Sequence, residues 1–134
     1  MILVRNRRLL ALKRAEDDYP LFKGIWDFPG GIIEEGEDPI STALREVEEE
    51  TGLQVGNTEL LREWQHIWEG GESFRVTSFI GWEPKGKVRL SSEHSACAWM
   101  TPSEILDQAY EEYRLRSRFF FPGSRVSKKI FVFL

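Results

Sequence analysis

The sequence predicts a single α/β domain in which a mixed β-sheet lies between α-helices, and three observations lead to that class. Aliphatic and aromatic runs of strand length are intermixed with two segments of helical periodicity, rather than segregated from them. No repeat, low-complexity tract or linker interrupts the chain. Its 134 residues suit one hydrophobic core and are few for two, so residues 1–134 are expected to form one domain.

Taken in order, Ile2–Val4 and Leu9–Leu12 flank Asn6-Arg7-Arg8 and predict a hairpin. The opening strand is short, and incomplete pairing is expected there. A polar loop containing Pro20 and Gly24 leads to Trp26-Asp27-Phe28-Pro29-Gly30-Gly31. The first helix is marked by Asp38 as N-cap, Pro39 at the first helical position and Gly52 as a left-handed C-cap. Ile40, Ala43, Leu44 and Val47 fall at helical spacing and predict its buried stripe. Strands are expected over Leu60–Trp68 and Ser73–Trp82, joined through Gly70-Gly71, with a further short strand over Ala96–Met100. Thr101-Pro102-Ser103-Glu104 is a capping box that opens a second helix to about Arg118. Pro122-Gly123 ends it, and Ile130–Leu134 is apolar enough to form an added strand or a contact between protomers, so a homodimer is an open expectation.

A net charge of -4 argues against a general nucleic-acid polymer as partner, because such binders carry a basic surplus. No apolar run approaches the roughly 20 residues of a membrane span, and no signal-peptide pattern is present. The lone Cys97, read as a small buried residue, cannot form an intramolecular disulfide and suits a reducing, cytoplasmic setting. His66 and His94 have no paired histidine at ligand spacing, and neither is assigned to a metal.

The acidity is local. Residues 34–50 hold eight Asp or Glu and one basic residue, Arg45. On the first helix Glu46, Glu49 and Glu50 fall within an arc of about 100°. Carboxylates at this spacing repel one another, and they sit near the helix C-terminus, where the dipole favours cations. A divalent cation turns that repulsion into attraction, and hard oxygen ligands suit Mg2+ or Mn2+.

From Gly31 the chain reads GIIEEGEDPISTALREVEEETGL. This stretch resembles the Nudix box, G-x5-E-x7-R-E-U-x-E-E-x-G-U with U a bulky aliphatic residue. Gly31, Glu37, Arg45, Glu46, Val47, Glu49, Glu50, Gly52 and Leu53 meet every specified position. Chance agreement at background frequencies is below about one in ten million per start site. The resemblance implies a Nudix fold and Mg2+-dependent cleavage of a diphosphate linkage, with Mn2+ as a possible substitute.

It also implies roles. The Gly31 carbonyl faces the metal, Glu49 and Glu50 are the principal ligands, and Glu46 is either a third ligand or the general base. Arg45 orients a glutamate by a charge-assisted hydrogen bond, and Glu37 is a supporting acid. Arg14 resembles an arginine that many Nudix enzymes place against substrate; Trp26 and Phe28 are candidates for stacking on a base. Glu93, six residues ahead of Trp99, resembles the loop glutamate of MutT-like enzymes, as metal ligand or as base.

The partner so implied is a small molecule containing a nucleotide diphosphate. No proline follows the box at the position that ADP-ribose pyrophosphatases share, Gly70-Gly71 stands where dinucleoside polyphosphate hydrolases often place a tyrosine, and the coenzyme A signature is missing. The chain therefore most resembles MutT-like enzymes that convert a nucleoside triphosphate to the monophosphate and pyrophosphate. ADP-ribose or dinucleoside polyphosphate hydrolysis, or a non-catalytic nucleotide-sensing module, are the alternatives.

Overall fold

A computed structural model describes residues 1–15, 24–67 and 73–108. Strands β1 (Ile2–Arg5) and β2 (Arg8–Arg14) form the expected hairpin, closed by the two-residue loop Asn6-Arg7. Both loop residues have positive φ, 50° and 60°, the geometry that matches the right-handed twist of the flanking strands. Asparagine tolerates it; an arginine there costs about 1 kcal/mol.

There follow β3 (Trp26–Asp27), α1 (Pro39–Thr51), β4 (Asn57–Ile67), β5 (Ser73–Trp82) and β6 (His94–Met100). A second helix, α2, is described over 102–108. The Thr101 N–H donates to Glu104 Oε2 at 2.7 Å and the Glu104 N–H donates to Thr101 Oγ1 at 3.2 Å, the reciprocal pair that the capping box predicts. The expected run of this helix beyond 108, the Gly70-Gly71 connection, and the tail from Pro122 with its proposed protomer contact lie outside the described residues.

The six strands form one mixed sheet. β6 lines one edge of β2 from Leu9↔Met100 to Arg14↔His94. That leaves the other edge of β2 to β1 and then to β3. β1 in turn pairs parallel with β5, and β5 pairs antiparallel with β4. The opening strand is therefore paired on both sides, contrary to the expected incomplete pairing, because β5 offers it a second ladder far along the chain. β4 and β6 each begin earlier than expected, at Asn57 and His94.

Leu3, Leu10, Leu12, Val47 and Leu53 are fully buried and make the core between sheet and α1; burial of each contributes about 1.5–3 kcal/mol. Of the expected helix stripe only Val47 is fully buried, while Ile40, Ala43 and Leu44 are half-buried. Thr42 and Thr51 are buried instead, their hydroxyls satisfied by Glu37 Oε2 at 2.9 Å and by the Val47 carbonyl at 2.5 Å. Cys97 is exposed, not buried: alternation along β6 turns it outward with Ser95.

Candidate active site

The site is built where the loop before α1 folds back onto the helix. The ends of α1 form as their residue chemistry dictates. The Asp38 side chain accepts from the Ser41 N–H at 3.2 Å, and Gly52 adopts φ 68° with its N–H on the Glu48 carbonyl at 2.8 Å. Between these caps Glu46 and Glu50 are one turn apart. Glu46 is mostly covered, with 17% of its side chain exposed, and Glu50 is buried at 6%; Glu49 points outward at 60%.

Loop and helix meet at two glycines. The Gly30 N–H donates to Glu50 Oε2 at 3.1 Å. Gly31 lies directly against Glu46, where an added Cβ would stand 2.5 and 2.7 Å from its two carboxylate oxygens. The loop is held from the other side by the Met1 nitrogen, which donates to the Pro29 carbonyl.

Burial pushes the Glu50 carboxyl up to about 7; the charges of Glu46 and Glu93 add to that rise, and Gly30 and Arg14 oppose it. Glu93 and Arg14 thus act on Glu50 electrostatically from β2 and the loop before β6. Their backbones are fixed there by the Ala15 N–H on the Glu93 carbonyl at 2.8 Å and by the Arg14↔His94 register.

Arg45 is a clamp on the acids. Its Nη1 is 2.8 Å from Glu46 Oε1 and 3.2 Å from Glu49 Oε2, and its Nη2 is 3.8 Å from Glu37 Oε2. Glu37 in turn accepts from the Glu34 N–H and the Thr42 hydroxyl, which hold its carboxyl below the usual range.

The structure thus brings together Gly31, Glu46, Glu50, Glu93 and Arg14, and keeps Glu49 at the rim on Arg45. Trp26 and Phe28 are half-buried, and Lys13 Nζ lies 5.9 Å from the centre of the Trp26 ring. His94, which the spacing argument had set aside, is buried beside Glu50, its Nε2 3.9 Å from Glu50 Oε1 and its Nδ1 3.4 Å from Ser91 Oγ. Burial lowers its pKa, so the ring is neutral at pH 7. The signal available in the sequence is its place directly after Glu93, two residues ahead of the expected strand.

Among the described residues no three acidic, histidine or cysteine side chains already converge on one point as a metal site. Glu46 and Glu49 are instead drawn to Arg45. The donor set nevertheless fits a hard divalent cation: it offers carboxylate oxygens around a buried, charge-opposed Glu50, beside a glycine that leaves the backbone approachable.

Comparison with known proteins bears on the family and the fold. The family model described as NUDIX domain matches residues 1–120. A MutT-like protein of Streptomyces ambofaciens is 35% identical over 117 residues, covering 87% of this chain and 70% of that protein. An asymmetrical bis(5'-nucleosyl)-tetraphosphatase of Sus scrofa is 33% identical over 129 residues, covering 81% of each. The solved MutT NUDIX hydrolase of Burkholderia pseudomallei superposes with a TM-score of 0.65 at 28% identity, covering 80% of both chains. The chain belongs to the Nudix hydrolase family.

Proposed function

We propose that this Nudix hydrolase converts a nucleoside triphosphate and water to the nucleoside monophosphate and pyrophosphate. The observation that carries the reading is the double contact of the glycine loop with the helix: Gly30 on Glu50 and Gly31 on Glu46. This contact sets two carboxylates of the box against one approachable stretch of backbone.

The Gly31 carbonyl, Glu46, Glu49, Glu50 and Glu93 would hold Mg2+, or Mn2+ in its place. Bound there, the cation would supply charge neutralisation at the diphosphate oxygens and a more acidic water. Glu46 or Glu93 takes the proton of the attacking water as its oxygen bonds to phosphorus and the bond to the leaving pyrophosphate breaks. Arg45 orients Glu46, a role suited to its 2.8 Å contact. Arg14 faces the phosphates, and Trp26 and Phe28 pack against the base.

A second reading, hydrolysis of a dinucleoside polyphosphate, is supported by the similarity to the Sus scrofa enzyme along most of both chains. One experiment separates the two. Nucleoside triphosphates, oxidised triphosphates, ADP-ribose, NADH and dinucleoside polyphosphates are assayed with Mg2+ and again with a chelator, and the products are identified. Monophosphate and pyrophosphate from a triphosphate, abolished by chelation, is the expected result. Preferential turnover of a dinucleoside polyphosphate favours the second reading, and turnover unaffected by chelation overturns both.

A further inference from the structure

We propose that a basic pocket at the C-terminal end of α1 is a second anion site, one that takes a phosphate group. The pocket measures about 420 Å³ and is lined by Gly52, Gln54, Lys85, Gly86, Lys87 and Arg89. All three of its charged side chains are cations, in a chain whose net charge is -4.

Several other basic side chains of the described residues are engaged, while Arg7 and Arg75 stand exposed on turn and strand, away from this pocket's lining. Arg8 pairs with Glu104 and Arg45 with three glutamates. Arg5, Arg62 and Lys13 lie over tryptophan rings. Among the same residues, no carboxylate lies within ion-pair distance of Lys85, Lys87 or Arg89. Uncompensated charge is thus gathered in one concave place, where it attracts an anion.

The frame of the pocket is fixed by backbone. Gln54 and Lys85 exchange two hydrogen bonds, at 3.0 and 2.8 Å, that tie the loop after α1 to the loop after β5. Gly86 turns the second loop at φ 107°, a conformation open to glycine. Arg89 lies across Gly52, where an added Cβ would stand 3.3 Å from its Nε. The lining has no aromatic ring, so it offers a nucleobase no stacking surface and recognises charge alone.

A simpler role for these cations is to offset the negative end of α1, which has no basic residue in its last turn. One cation suffices for that, and its loss would show in stability rather than in anion affinity.

The pocket borders the active site. Gly52 lies two residues past Glu50, and the Ser91 N–H donates to the Glu50 carbonyl at 3.1 Å. The four residues from Arg89 to Glu93 span at most about 14 Å. The phosphate belongs either to free pyrophosphate or to the far end of a polyphosphate substrate; the latter source rests on the hydrolysis proposed above.

The test uses the full chain and the K85Q/K87Q double variant. Pyrophosphate is titrated calorimetrically into both after removal of divalent metal, and melting temperatures are recorded. A wild-type affinity that weakens at least tenfold in the variant, with melting temperatures within about 2 °C, supports the site with a free anion as occupant. In a parallel arm, a KM for a nucleoside tetraphosphate that rises at least fivefold in the variant relative to the KM for a nucleoside diphosphate derivative supports it with a substrate tail as occupant. If neither pyrophosphate affinity nor the KM ratio responds, the site is overturned and the lysines serve the helix end. The metal-free arm needs no turnover, so it decides for the pocket even if the proposed hydrolysis fails.

Discussion

Gly31 and Glu46 are in direct contact: the missing side chain of the one is the space occupied by the carboxylate of the other. Gly31 does not require positive φ, so alanine there is acceptable to the backbone and disturbs only the end of a flexible side chain. Gly31→Ala should therefore leave the melting temperature within a few degrees and lower kcat at least about tenfold, by turning the Glu46 carboxylate out of place. Circular dichroism melts and steady-state kinetics check this. Unimpaired turnover would mean that Glu46 is not used where it is found.

Glu49→Gln and Glu50→Gln should each lower kcat by a factor of at least about 100 while both variants fold. Millimolar Mg2+ should also raise the melting temperature of the wild type, and this rise should shrink in Glu49→Gln. Equal rises in wild type and variant would place the cation elsewhere.

The raised pKa of Glu50 makes the metal-free protein sensitive to pH in a defined direction. The folded state holds the proton that the unfolded chain releases near 4.5, so this group's stabilisation is complete below 4.5 and is lost as pH climbs through about 7. Chelator-treated wild type should melt progressively lower from pH 5 to 8, and Glu50→Gln should show a flatter profile. Thermal melts across that range test it, and parallel profiles for the two proteins would assign the loss to another group.

Glu93 acts on Glu50 from a loop tied to β2 by its own carbonyl. Glu93→Gln should either raise the Mg2+ requirement, as a ligand would, or lower kcat and flatten the acidic limb of the rate profile, as a base would. The same measurements on Glu46→Gln separate the two carboxylates. Activity within about twofold of wild type at every pH and Mg2+ concentration would make Glu93 a surface residue.

What was legible in the sequence was local. Asp38, Pro39 and Gly52 mark the ends of α1 because capping chemistry is written in adjacent residues, and the Asn6-Arg7 loop follows from the short span between two aliphatic runs. Gly31 and the glutamates were legible because a spacing pattern carries them. The pairing of β1 with β5 was not, since hydrophobic alternation says that a strand has a partner without saying which. Two-residue β3 is too short for any periodicity, and it exists because Leu12 and Lys13 offer it a ladder. Sequence spacing assigns His94 no partner, because its proximity to Glu50 comes from the β2–β6 register, which spacing does not encode. Cys97 faces outward rather than inward because small residues fit either face of a strand.

The parallel ladder that joins Ile2 to Ile80 has a further consequence, for the order of assembly. β1 leaves the ribosome before β5 and pairs with β2 first, but its other edge waits until β5 has been synthesised. Closing that long loop must precede any reward from the contact, so docking of β5 onto β1 belongs to a late folding step. Until then the nascent hairpin carries an open hydrogen-bonding edge with Leu3 uncovered, a surface on which a chaperone, or a second nascent chain, competes with the native partner.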